Sequence, residues 1–170
     1  LLPSNIRGRF LLMRDDDYWA FFPEVSQPIR IAAQERLLGD VVNGDITRTN
    51  FFGDYTAKIL RMEPSNEKKY DVLELTSKNQ RATYGKILLW VEQDKSWPLK
   101  AEFYALSGRF LKTCYYENYK MLAGRMRPSR LVLKDAIIND QYSVIEFNKI
   151  YLYKIPDKFF SKEYLKKMVY

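Results

Sequence analysis

Residues 100–120 read KAEFYALSGRFLKTCYYENYK, and their alternation decides the fold class. Ala101 and Phe103 fall on one side of an extended chain, with Leu99 before them, while Lys100, Glu102 and Tyr104 fall on the other. Successive side chains of a strand point to opposite faces, so this is the pattern of a strand with one dry face. Ser107-Gly108 supplies turn chemistry, and a second strand-like run follows, so the stretch predicts a β-hairpin. The second arm carries Phe110, Tyr115, Tyr116 and Tyr119, which places rings on both of its faces. A sheet that is dry on one side and wet on the other has no need of that, so the pattern asks what the sheet covers.

The same signature extends in both directions. RGRFLLMRDDDYWAFFP (7–23) reads as a hairpin around Asp15, Asp16 and Asp17, closed by Pro23, and QPIRI (27–31) as a short extended piece. YTAKILRME (55–63), KYDVLELTS (69–77), YGKILLWVEQ (84–93), MRPSRLVLKDA (126–136) and QYSVIEFNKIYLYK (141–154) are further strands. Leu73 and Leu75 share a face, and YGKILLWVEQ is apolar on both of its faces. Short connections between successive strands predict an antiparallel meander. SKEYLKKM (161–168) reads as a closing helix capped by Ser161.

Between residues 32 and 53 the period changes. Leu37, Leu38, Val41 and Val42 have helix-like spacing, Asn43-Gly44 marks a turn, and Asp45 can cap ITRTNFF, which Gly53 can end. The expected architecture is mainly β with α+β character: a strongly curved or barrel-like antiparallel sheet with a helical insert at about 32–53. Leu37, Leu38, Val41, Val42, Phe51 and Phe52 fit two arrangements equally, a plug that fills the sheet and a cover over an apolar cavity.

Composition excludes several chemistries. The chain of 170 residues has no histidine and one cysteine, which removes Ser-His-Asp and Cys-His catalysis, most zinc sites and any internal disulfide. Cys114 lies mid-strand beside Tyr115 and Tyr116 and reads as a small buried hydrophobe. Asp15–Asp17 lacks the alternate ligands and sixth-position glycine of a calcium loop. Glu102, Glu117, Asp135 and Glu146 lie on different strands with no isolated acid–base pair. Seven glycines form no phosphate loop, and SGRFLKTCYYENY does not match an RNA-binding sheet motif. No apolar run reaches the roughly 18 residues of a membrane-spanning helix. Catalytic residues, metals, cofactors and nucleic acid are therefore not expected. The net charge of +7 fits an ordinary lysine-rich surface, and would equally serve attraction to anionic lipid or to an acidic protein partner.

The ordered segments FLLMRDDDYWAFFPEVSQPIRI, ERLLGDVVNGDI, DYTAKIL, YDVLELTSK, YGKILLWVEQDKSWPLKAEFYALSGRFLKTCYYENYK and RPSRLVLKDA resemble the bacterial outer-membrane lipoprotein-sorting proteins, the LolA-like group. The resemblance rests on order and spacing over nearly the whole chain. It implies an unclosed antiparallel β-barrel lidded by short helices, like the carriers LolA and LolB and the sensor domain of RseB. It also implies a periplasmic protein of a Gram-negative bacterium that binds acyl chains and performs no reaction.

The lid would be residues 32–53 within a single domain over 1–170. The resemblance implies an N-terminal helix and further strands ahead of LLPSNIRGRF, so this sequence is expected to be either a fragment or a chain that has lost them. Leu38, Val42, Phe51 and Phe52 of the lid, with Leu75, Trp90 and Phe103 of the wall, would contact the acyl chain. An inner-membrane donor and an outer-membrane acceptor are the implied partners. A sensor or protein-interaction module of the same fold, without lipid transfer, is the alternative.

Overall fold

The computed structural model describes residues 10–14, 17–23, 25, 27–31, 51–65, 67–78, 82–136 and 142–169. Contacts divide the chain into two compact units, Leu1–Leu38 with Tyr153–Tyr170, and Gly39–Leu152.

In the first unit, β1 (Phe10–Arg14) pairs antiparallel with β2 (Asp17–Phe21), and β2 with the two-residue β3 (Ile29–Arg30). The hairpin expected from the aspartate run is present, and the Asp17 carboxylate holds the Arg30 guanidinium across the sheet. A 3-10 helix (Asp157–Phe160) leads into α2 (Lys162–Val169). Ser161 caps α2 as expected: its Oγ accepts the Tyr164 N–H at 3.2 Å, which satisfies one of the amides that a helix leaves open at its start. The Phe159 and Tyr164 rings lie 4.4 Å apart, the Lys162 ammonium sits 4.8 Å above the Trp19 ring, and Lys166 Nζ donates to Gln27 Oε1 at 2.6 Å. These contacts hold the closing helix against the small sheet.

The second unit holds α1 (Phe51–Asp54) and an open seven-stranded sheet: β4 (Tyr55–Ser65), β5 (Lys68–Ser77), β6 (Lys86–Glu92), β7 (Trp97–Tyr104), β8 (Phe110–Leu122), β9 (Arg125–Asp135) and β10 (Tyr142–Glu146). Each strand pairs antiparallel with its sequence neighbour, so β4 and β10 are the edges and the meander expected from the short connections is what forms. The helix includes Gly53 and ends one residue later, at Asp54, where β4 begins. Lys78 closes its end: the Lys78 N–H donates to Asp54 O at 2.8 Å and its ammonium to Gly53 O at 3.3 Å. The remainder of the expected insert, 32–50, lies outside the described residues.

Three irregularities break the alternation. Leu60 in β4, Leu99 in β7 and Leu111 in β8 are each skipped by the register, as β-bulges. A bulge adds one residue on one strand and raises the local twist. It also corrects one reading of the sequence. Leu99 does not continue the dry face of Ala101 and Phe103; as the bulged residue it is 39% exposed, whereas Ala101 is fully buried. The last strand is also shorter than its sequence suggests. Its ladder ends at Glu146, with one further bond from Phe147 N–H to Ser129 O at 2.8 Å. Alternation marks residues that suit a strand, but a strand also needs a partner backbone.

The β8–β9 connection is the two-residue loop Ala123-Gly124, with φ of +49° and +76°. Positive φ at both positions is the geometry of a type I′ turn, whose twist matches that of the strands. Alanine is strained there, because its Cβ crowds the carbonyl in the left-handed region. Ala123→Gly and Ala123→Asn are therefore expected to stabilise the protein by about 0.5–1 kcal/mol, read as a higher denaturation midpoint at unchanged slope.

Candidate functional site

Register assigns the sheet two unlike faces. One row runs Ala57, Leu75, Ile87, Phe103, Lys112 and Asp135, and the next runs Leu73, Leu89, Ala101, Cys114 and Leu133. Leu75, Ile87, Leu89, Ala101, Phe103, Cys114 and Leu133 are all buried, so this is the apolar face. Cys114 sits between Ala101 and Leu133, as a small hydrophobe would.

Aromatic rings gather over the Phe103 end of this face. The Tyr84 ring lies 4.5 Å from that of Phe103. The Tyr84 N–H donates to the Tyr55 hydroxyl at 3.2 Å, and the Phe51 ring meets Tyr55 edge-on at 6.2 Å. Phe51 of α1, Tyr55 of β4, Tyr84 of the β5–β6 connection and Phe103 of β7 thus form a continuous series. Lys112 enters the same group from β8. It is 4% exposed, and its ammonium stands 5.4 Å from the Tyr84 ring and 6.0 Å from that of Phe103.

Gly85 positions this group. Its N–H donates to Tyr104 O at 2.9 Å and its carbonyl accepts from Ser77 N–H at 3.0 Å, so it stitches the ends of β5 and β7. A Cβ here would meet Ala105 O and Leu106 Cα at 2.7 Å. Both are backbone atoms with no side-chain freedom to yield, so only glycine brings Tyr84 onto Phe103.

The other face is ordered by charge and rings. Trp90 pairs with Val72 and Lys100, opposite in direction to Ile87 and Leu89 of its own strand. It is buried there with Tyr70 and Val72, and with Leu88 packed beside them. Trp90 Nε1–H donates to Glu63 at 2.7 Å, and Lys100 Nζ lies 3.8 Å above its ring. Lys100 Nζ donates to Glu102 at 3.0 Å, the Tyr104 hydroxyl donates to the second Glu102 oxygen at 3.0 Å, and Lys86 lies 4.3 Å over the Tyr104 ring. Further along, Trp97 stacks on Tyr119 at 4.4 Å, and the Tyr119 hydroxyl donates to Pro98 O at 2.6 Å. Burial, then the Glu102 hydrogen bond, pushes the Tyr104 hydroxyl up to about 12. Burial likewise pushes Tyr119 up, helped by the Glu92 charge.

Of the wall residues read from the sequence, Leu75 and Phe103 come together across Ile87, and Trp90 does not join them. It belongs to the charged face because period-two alternation separates Trp90 from Ile87 and Leu89. Phe51 joins the group through Tyr55. Phe52 lies in α1, and its side chain is outside the description; Leu38 and Val42 are outside the described residues. Tyr55, Tyr84, Ile87 and Lys112 were not singled out from the sequence. Ile87 shares the parity of Leu89 and was legible; Tyr84 lies in a connection, where no periodicity assigns a face.

Glu102 is held by Lys100 and Tyr104, and Glu117 and Glu146 by Arg130. Among the described residues, no group of three or more His, Cys, Asp or Glu could hold a metal ion, and no helix is long and apolar enough to cross a membrane.

The chain matches a family model described only as "-like: Uncharacterized protein" over residues 1–167. No curated protein matches it. It is similar to the solved structure of a LolA superfamily protein from Nitrosomonas europaea, at 47% identity and a TM-score of 0.87, covering 96% of this chain and 74% of that one. A DUF1329 family protein from Desulfovibrio piger shares the fold at 22% identity and a TM-score of 0.78, over 96% of this chain and 73% of that one. So does a domain from Vibrio parahaemolyticus assigned to outer membrane lipoprotein sorting, at 21% identity and a TM-score of 0.74, over 97% of this chain and 74% of that one.

Two outcomes are expected. Gly85→Ala should destabilise the protein by about 1–3 kcal/mol through overpacking, seen as a lower midpoint in thermal or chemical denaturation. The second concerns pH. The hydrogen bond from Trp90, then that from Arg61, holds the Glu63 carboxyl below its ordinary 4.5. A lowered folded value means the contribution is complete above about pH 4.5 and lost as pH falls through that lowered value. Glu63→Gln should flatten this part of the stability–pH profile; an unchanged slope would show that the bond carries no proton linkage.

Proposed function

The chain belongs to the LolA superfamily, and from that premise we propose that it is a non-enzymatic carrier of acyl chains. Its cargo is a lipid or the lipid moiety of a lipoprotein, taken through the periplasm of a Gram-negative bacterium from an inner-membrane donor toward an outer-membrane acceptor. The observation that carries this reading is the Phe51–Tyr55–Tyr84–Phe103 series on the apolar face of an open sheet. The acyl chain would lie along Leu75, Ile87 and Phe103. Phe51 would contact it too, and Leu38, Val42 and Phe52 of the insert remain proposed contacts. Trp90, on the other face, is not in the set. The relative named for outer membrane lipoprotein sorting supports the same reading at the level of the fold.

The demand on such a carrier is large. Moving an acyl chain from a membrane into water costs about 0.8 kcal/mol per methylene, or roughly 12 kcal/mol for a chain of about sixteen carbons. A dry, largely aliphatic and aromatic wall offsets most of that without specific polar contacts, so the cargo can still leave. The reading includes no reaction.

One observation favours the alternative, a sensor or protein-interaction module without lipid transfer. Tyr84 already covers Phe103, so the protein's own rings fill part of the face. An acyl chain enters there only if Tyr84 swings away.

Organic extraction of the purified protein followed by mass spectrometry separates the two. Stoichiometric lipid or fatty acid is expected, directly or after incubation with lipid, and Phe51→Asp should lower uptake at least about tenfold by placing a charge in an apolar contact while the sheet's circular dichroism is unchanged. An extract that stays empty after incubation, together with saturable binding of a protein partner, would establish the alternative.

A further inference from the structure

The stretch from Tyr153 to Phe160, in the smaller unit, carries a high density of exposed apolar surface. Tyr153 is 84% exposed, Ile155 47% and Phe160 46%. Single exposed hydrophobics are normal on protein surfaces, but a contiguous run of them marks an interaction site. Residues 147–156 form no helix or strand, so this run has no ladder of its own to join.

Lysines are set through it and beyond: Lys154, Lys158, Lys162, Lys166 and Lys167, against only Asp157 and Glu163. Tyrosine offers an apolar ring with a polar tip. Lysine offers an apolar stem with a charged end. Together with exposed isoleucine and phenylalanine, these are the residues suited to the boundary between lipid headgroups and acyl chains.

The run is anchored at one end. Its last residues lead through the 3-10 helix into α2, which Ser161 caps and which Lys162 and Lys166 hold against Trp19 and Gln27. The neighbouring rings divide the work: Phe159 packs on Tyr164, and Phe160 remains exposed.

We infer that Tyr153–Phe160, with the lysines that follow it, is a docking surface for an anionic lipid bilayer. Charge complementarity selects this occupant. A neutral apolar groove on a protein does not call for lysines interleaved with the contact residues, and an acidic protein surface does not call for exposed Tyr153 and Ile155. The inference is independent of the cargo, since a carrier and a sensor would each use such a surface.

The test is flotation of the full chain with phosphatidylcholine vesicles, with and without phosphatidylglycerol. Binding to the phosphatidylglycerol vesicles alone is expected, weakened at least about tenfold by high salt as the screening length contracts from about 10 Å to about 3 Å. Tyr153→Ser/Ile155→Ser should lose at least about tenfold in vesicle affinity, and Lys154→Glu/Lys158→Glu the same or more. All four side chains are exposed, so both variants should retain the wild-type melting curve. Failure of the wild type to float with anionic vesicles, or serine and glutamate variants that bind as the wild type does, would overturn the inference. So would a loss of self-association or of an acidic protein partner in those variants with vesicle binding intact.

Discussion

The backbone ladder from β4 to β10 constrains everything in the larger unit. Seven strands pair only with their sequence neighbours, and each can offer alternate residues to a given face. Ile87 and Leu89 therefore cannot share a side with Leu88 and Trp90, whatever their common hydrophobicity. The three bulges are the places where the ladder relaxes this rule. Each skips a leucine, and Leu60 and Leu99 are consequently left partly in water.

The two faces solve different problems. The apolar face is dry, and its stability comes from burial; removing a ring such as Phe103 from a site of that kind typically costs about 3–5 kcal/mol. The other face is sealed by a chain of contacts from Glu63 through Trp90, Lys100, Glu102 and Tyr104 to Lys86. Individually these are small, with exposed ion pairs worth about 0–1 kcal/mol and cation–ring contacts about 0.5–1 kcal/mol. Their joint effect is geometric. Lysine stems and ammonium groups lie over the rings, so large aromatic surface can face outward without staying bare. Rings on both arms of the 100–120 hairpin thus have two reasons, one for each face.

The placement of Tyr84 gives the proposed carrier its most specific feature. A connection residue, held by Gly85 and by the Tyr55 hydroxyl, lies over a wall residue from β7. A ring on a connection can move with less disturbance than a ring on a strand, because few ladder bonds fix it.

Period-two alternation with turn residues between the runs was sufficient to read from the sequence an antiparallel meander, the hairpin at the aspartates, the Ser161 cap, and the shared faces of Leu73 with Leu75 and of Ala101 with Phe103. These features are local: each is dictated by neighbours along the chain. The side taken by Trp90, the exposure of Leu99, the early end of β10 and the meeting of Phe51, Tyr55, Tyr84 and Phe103 were decided only by tertiary structure. Register, bulges and long-range contacts set them, and these depend on which backbone lies alongside. In a run apolar on both faces, such as KILLWVE, hydrophobicity identifies a buried strand, while only its pairing partners determine which residue faces which side.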